Sequence, residues 1–196
     1  MIIGVLKEPS PETRVSLLPE HVAILKKWNV DVLVESNAGV TAFANDGKYT
    51  EAGANIKSRS EVLQRSDFIV SINALPQSEI TDLKSKVILG VYQPLFNAGL
   101  MKELAAKGLT VFSMDMLPRT TRAQSMDILS SQANIAGYKA VLLAANLFPK
   151  YFHMLMTAAV SIPPSLVLIL GAGVAGLHSI ATSKRLGAVV EVFDTR

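Results

Sequence analysis

The chain has 196 residues, 49% of them hydrophobic, a formal net charge of +3, no cysteine and three histidines far apart in sequence. That length suits one large domain or one plus a piece of a second, and the apolar fraction suffices for a packed core. The lack of cysteine excludes a disulfide framework and a thiolate metal site, and the scattered lysines and arginines leave no nucleic-acid footprint.

The opening MIIGVLKEPSPETR has neither a basic n-region nor a long apolar h-region, so it does not read as a signal peptide. Within it, Ile2 to Leu6 is a predicted strand. A helix is predicted over Pro19 to Trp28, with Pro19 suited to its first turn. Val30 to Glu35 is a second strand. The small, polar stretch from Ala42 to Ala54 reads as a loop holding a short helix. Ser60 to Arg65 is a helical turn that feeds the strand Phe68 to Ile72. Lys86 to Val91 is another strand. Leu100 to Lys107 is a helix stopped by Gly108, with the strand Leu109 to Ser113 behind it. This alternation predicts a doubly wound parallel sheet with helices on both faces, a Rossmann-like α/β domain over residues 1–122. From Ala123 to about Phe148 good helix formers dominate, which predicts one long helix or two nearly continuous ones within a helical linker over residues 123–160. Between Lys150 and Lys184 there is no charged residue, but Pro163, Pro164 and three glycines interrupt the window, so a membrane helix is not expected. A soluble, cytoplasmic chain is the expectation.

Residues 166–196, LVLILGAGVAGLHSIATSKRLGAVVEVFDTR, form the most specific motif. An apolar run, Leu166 to Leu170, enters Gly171-Ala-Gly173-Val174-Ala-Gly176; a helical stretch follows, then a second apolar run, Ala188 to Phe193, that stops on Asp194. This is the dinucleotide fingerprint in its strand–turn–helix context. Gly171 makes the turn, Gly173 lets backbone approach a pyrophosphate, and Gly176 lets the helix pack close to the sheet. The helix N-terminus offers N–H groups and its positive dipole end to phosphates. Asp194 stands where an acidic partner of the ribose hydroxyls belongs, about 20 residues on. A Rossmann domain of this type has about six strands, so residues 161–196 read as an incomplete start of one and the chain as a fragment or one piece of a split protein.

A second polar group lies between the two units: Leu117-Pro118-Arg119-Thr-Thr-Arg122-Ala-Gln124-Ser-Met-Asp127-Ile-Leu-Ser130. A strand end followed by a helix start is where open α/β sheets bind ligands. Gln124, Asp127 and Ser130 recur at intervals of three, which puts them along one face of a helix. An equally good reading makes Thr121 an N-cap, Gln124 part of a capping box and Asp127 a solvated residue.

PRTTRAQSMDILSSQANIAGYKAV, GAGVAG and FDTR together closely resemble the NAD(H)-binding alpha component of the proton-translocating NAD(P) transhydrogenases, and the resemblance runs from the opening GVLKEPSPETRVSLLPEHV onward. The opening is shared with the alanine dehydrogenases. The resemblance implies hydride transfer from NADH to NADP+ held on a partner beta component, coupled to proton translocation by a membrane component. It also implies a homodimer, peripheral to the inner membrane through those partners. It assigns Arg119 to the carboxamide end of the nicotinamide, Gln124 to the nicotinamide ribose facing the partner, and Asp127, followed by Ser130, to holding that loop. Arg119, Gln124 and Asp127 are thereby the candidate catalytic residues. Gly171, Gly173, Val174, Gly176, Asp194, Thr195 and Arg196 complete the candidate NAD(H) contacts. No metal ligand is expected. Two other readings stand beside it: an alanine-dehydrogenase-like enzyme, in which Arg14 would grip a substrate carboxylate, and an inactive nucleotide-binding fragment. The first of these is weakened because that family's lysine near Ser71-Ile-Asn73 and its histidine near Tyr92-Gln93 are both missing here.

Overall fold

The computed structural model describes residues 1–195. The chain divides into two compact units, one spanning Met1–Ala123 and one beginning at Gln124.

The first unit runs β1 (Ile2–Val5), α1 (Pro19–Lys27), β2 (Asp31–Glu35), α2 (Asp46–Glu51), β3 (Asn55–Lys57), α3 (Arg59–Arg65), β4 (Phe68–Asn73), α4 (Gln77–Ile80), β5 (Val87–Val91), α5 (Ala98–Ala106) and β6 (Thr110–Ser113). The strands pair in parallel in the order β3-β2-β1-β4-β5-β6, which is the Rossmann order. The doubly wound parallel sheet expected from the alternation is therefore present. Alternate strand residues feed two separate cores, as the two-residue period demands. Val32 and Val34 pack with Val5, Val22 and Tyr49 on one face, while Leu33 packs with Leu6, Val62, Ile69, Ile88 and Leu104 on the other.

Local chemistry explains where the helices begin and end. α1 has Pro19 in its first turn and Lys26 and Lys27 in its last, matching the helix dipole. It stops one residue short of the expected Trp28, and Asn29 follows in the left-handed region at φ 57°. α2 is capped by Asn45, whose side chain accepts from the Lys48 N–H at 3.0 Å. α3 carries a full capping box between Ser58 and Glu61. β3 and α4, of three and four residues, are elements that the sequence pattern did not announce.

The second unit holds α6 (Ile128–Leu147), β7 (Leu155–Met156), β8 (Ser161–Ile162), β9 (Leu166–Leu170), α7 (Val174–Arg185) and β10 (Val189–Phe193). β9 and β10 pair in parallel across α7, forming the βαβ unit of the fingerprint, and β7 and β8 form a short antiparallel pair. Ile169 is buried while Leu166, Leu168 and Leu170 stay exposed, so helices cover only one face of this two-stranded sheet. The long helix begins at Ile128, not at 123; Thr121–Met126 is a 3-10 segment. α6 packs against α7, and its buried residues Gly137 and Val141 lie four residues apart on one stripe.

Ile69 lies fully buried on β4, a strand flanked by β1 and β5. Ile69→Ala is expected to lower unfolding free energy by about 2–5 kcal/mol, read from the urea midpoint at unchanged slope.

Candidate functional site

The glycine loop joins β9 to α7, and each of its glycines answers to a different constraint. Gly171 sits at φ +101°, a conformation that side chains resist. Gly176 is required by packing, because a Cβ there would stand 1.9 Å from the Gly171 carbonyl oxygen. Gly173, the N-cap of α7, has an ordinary φ of −70° and open space where a Cβ would go. Neither backbone nor packing within the chain asks for glycine at 173. In turns of this kind a glycine at that place lets the backbone approach a pyrophosphate. No side chain caps α7, so the first-turn N–H groups at Val174, Ala175 and Gly176 face outward from the helix end.

Asp194 closes the other side of the loop. The Gly171 N–H donates to the Phe193 carbonyl at 2.7 Å, and the Ala172 N–H donates to the Asp194 carboxylate. The acid is thus half-buried and held against the turn by a charge-assisted bond. Thr195 follows, exposed; Arg196 lies outside the described residues.

The polar loop at the start of the second unit differs from both arrangements expected of it. Asp127 is itself the N-cap of α6: its carboxylate accepts from the Ser130 N–H at 3.0 Å and the Ser130 hydroxyl at 2.7 Å. Gln124, Asp127 and Ser130 therefore do not share one helical face, and Thr121 is not the cap. The stronger N-cap, three residues before a second polar partner, wins the helix start. Gln124 lies exposed in the 3-10 segment, and its carbonyl accepts from the Asp127 N–H at 3.2 Å. Arg119 lies exposed in the last loop of the first unit.

The first unit has its own switch point, between β1 and β4, where ligands bind in open α/β sheets. A cavity of about 390 Å³ opens there. Its anion seat is filled by the chain itself. The Glu8 carboxylate accepts from the Ile72 N–H at 2.6 Å, the Asn73 N–H at 3.1 Å and the Asn73 side-chain amide at 2.9 Å. Beside it Arg59 donates to both oxygens of Glu79, at 2.6 and 3.0 Å, to Glu35 at 2.7 Å and to the Lys7 carbonyl at 3.0 Å. Nothing in the sequence singles out this ionic group; four charges scattered over 70 residues carry no local spacing signal. A larger cavity of about 860 Å³ in the second unit is lined by Phe148–Tyr151 and Ser161–Leu166. It lies at the entry of β9, the end opposite to the one that binds ligands in this architecture.

Arg14 is clamped by its near neighbour Glu12. Its backbone N–H and Nε both donate to Oε1 at 2.9 Å, and Nη2 donates to Oε2 at 2.6 Å. Among the described residues no cluster of His, Asp or Glu suits a metal ion, and no helix is long and apolar enough to cross a membrane.

A six-stranded sheet in Rossmann order followed by a βαβ glycine-loop unit defines a two-unit, Rossmann-like protein. Residues 4–136 match the N-terminal domain of the Alanine dehydrogenase/PNT family, and residues 140–196 match its C-terminal domain. The chain belongs to that family, which implies a nicotinamide dinucleotide cofactor. It is 43% identical over its whole length to NAD(P) transhydrogenase subunit alpha of Haemophilus influenzae, covering 38% of that protein. Its fold matches the crystal structure of transhydrogenase from Sinorhizobium meliloti at a TM-score of 0.94 and 41% identity, over all of this chain and 59% of that one. Alanine dehydrogenase of Staphylococcus epidermidis is 28% identical over 99% of this chain, which covers 53% of it. The chain thus spans about half the length of the relatives it matches.

The Glu12 clamp has a titration signature. Hydrogen bonds from Arg14 hold the Glu12 carboxyl at about 2, below its ordinary 4.5. The clamp's stabilisation is then complete above pH 4.5 and disappears as pH falls through about 2. Carboxyl 13C NMR is expected to show a Glu12 midpoint near 2 that returns towards 4.5 in Arg14→Ala.

Proposed function

We propose that this chain is the NAD(H)-binding part of an NAD(P) transhydrogenase alpha subunit. In that role it passes hydride from NADH to NADP+ bound on a partner beta component, and a membrane component couples the transfer to proton translocation. The observation that carries the reading is Gly173, a loop glycine for which a bound pyrophosphate is the reason at hand. Identity of about two residues in five along the whole chain to proteins named as transhydrogenase alpha subunits supports it.

Gly171, Gly173, Val174 and Gly176 would hold the pyrophosphate, and Asp194 and Thr195 the adenosine ribose. Arg119, Gln124, Asp127 and Ser130 would serve the nicotinamide end. Direct hydride transfer between two nicotinamide rings asks the protein for position and electrostatics, not for an acid or base. The absence of a lysine near Ser71-Ile-Asn73 and of a histidine near Tyr92-Gln93 suits that chemistry and disfavours oxidation of an amino acid. The complex would be a homodimer in this component, held at the cytoplasmic face of the inner membrane by its partners.

Two outcomes test the assignment in the full-length subunit. A carboxylate at 194 accepts from ribose hydroxyls and repels a 2′-phosphate, so NADH is expected to bind at least about tenfold more tightly than NADPH. Asp194→Asn narrows that ratio; equal affinities in the unmutated protein sink the assignment. Gln124→Asn, assayed with the NADP(H)-binding component, is expected to cut turnover by about 100-fold while NADH affinity changes little, because it disturbs orientation at the ring and leaves the phosphate contacts alone. Unchanged turnover removes Gln124 from the site.

A further inference from the structure

α6 contains one glycine, Gly137, in the middle of a 20-residue helix. Glycine is the poorest helix former after proline, so its place there asks for a reason. Packing supplies one. A Cβ at 137 would stand 2.1 Å from the Ala175 carbonyl oxygen, 2.8 Å from its carbon and 3.0 Å from the Ala175 Cα. All three atoms are backbone, and backbone does not swing aside as a side-chain tip does.

Ala175 is the second residue of α7, between the outward-facing N–H groups of Val174 and Gly176. Ser179, one turn further along α7, bridges the same junction: its hydroxyl lies 3.0 Å from both the Gly137 and the Ala175 carbonyl oxygens. The first turn of α7 is therefore pressed between two glycines. Gly176 lets it close onto the Gly171 carbonyl, and Gly137 lets α6 close onto it from the other side.

The start of α6 is fixed as well. Asp127 and Ser130 lock the helix start immediately after Gln124. From Ile128 to Gly137 the helix axis runs about 14 Å. A rigid rod thus connects the loop that carries Gln124 to the turn that presents N–H groups to the phosphates.

We propose that Gly137 is a positioning residue for the dinucleotide site. By allowing α6 to touch the α7 backbone, it sets the distance between the phosphate-facing N–H groups and the Gln124 loop. It touches no cofactor atom itself. The inference rests on the NAD(H) reading above and adds to it a determinant of both binding and transfer.

The test uses the full-length subunit with its NADP(H)-binding component. NADH binding by the unmutated protein is measured first; no binding there defeats the NAD(H) reading itself. Gly137→Ala adds only a methyl group and improves helix propensity, yet it has to push α7 aside. Its NADH dissociation constant is expected to rise about tenfold, and turnover at saturating NADH to fall by a similar factor. A merely structural defect lowers the fraction of active protein, and so the binding amplitude, without moving the dissociation constant. Ala144→Gly, at an exposed position of the same helix, weakens the helix without a contact and is expected to move neither quantity. Ser179→Ala removes the bridge without adding bulk and is expected to raise the dissociation constant about threefold, in the range of one lost neutral hydrogen bond. It becomes the deciding variant if Gly137→Ala does not fold. NADH affinity and turnover unchanged in Gly137→Ala, or affinity unchanged in Ser179→Ala where that variant decides, overturn the proposal.

Discussion

The second unit depends on how closely backbone approaches backbone at the first turn of α7. Two glycines make that possible, and each removes a Cβ that would collide with backbone. The Gly176 site faces the Gly171 carbonyl at 1.9 Å, and the Gly137 site faces the Ala175 carbonyl at 2.1 Å. At the far end Gly187 ends α7 at φ +85°, and a Cβ there would meet the His153 Cβ at 2.5 Å. α7 is wedged along its length, so its N-terminus has little freedom. A helix end acts on an anion only within its first turn, and a shift of the order of 1 Å in the N–H groups is large on that scale. Close packing is thus the means by which this unit holds an open, uncapped helix end in place.

Much of the fold was legible because periodicity is a strong signal where elements are long enough to repeat it. β2 alternates Val32 and Val34 against Leu33, and the same alternation separates the two cores. β3 has three residues and α4 four, too few to show a period, and tertiary pairing makes them. The start of α6 was displaced for a different reason. Thr121 and Asp127 both offer a cap, and the sequence does not say which stretch of 3-10 turn tertiary structure will extract from 121–126. In the glycine loop, spacing identified all three glycines and Asp194, but Gly137 belongs to the same set by packing and sits 34 residues before Gly171. An isolated glycine in a run of good helix formers was its only trace. The ionic group of Glu8, Glu35, Arg59 and Glu79 had no trace at all.

The two units present the same architectural site and treat it in opposite ways. In the first, the switch point of the sheet is satisfied from within: Glu8 takes three donors, and Arg59 is spread over two carboxylates and a carbonyl. Such a closed set rigidifies a fold and leaves few polar groups unsatisfied. In the second, the loop at Gly173 opens into free space and no side chain caps α7. Ligand binding is favoured where the protein has left donors unpaired and disfavoured where it has paired them, since a newcomer must first break bonds already made. The contrast favours a scaffold role for the first sheet and the dinucleotide for the second.

The same reasoning separates the two chemistries found among the relatives. An amino-acid oxidation site needs a group to hold the substrate carboxylate and groups to move a proton. Here Arg14, the residue that resembles a carboxylate grip, has three of its donors on Glu12, and Asn73 stands with its amide on Glu8 where no ammonium is available. Gln93 adopts a left-handed φ of 47°, and its carbonyl accepts from the Phe96 and Asn97 N–H groups at 2.9 and 3.0 Å, which makes that segment a tight turn and not an acid–base station. The loop around Gln124 at the head of α6 is, by contrast, exposed and polar. A reaction that moves hydride from ring to ring needs the least from a protein in proton chemistry and the most in alignment. In the proposed reaction a capped helix start, a glycine joint between α6 and α7 and an uncapped helix end would supply that alignment.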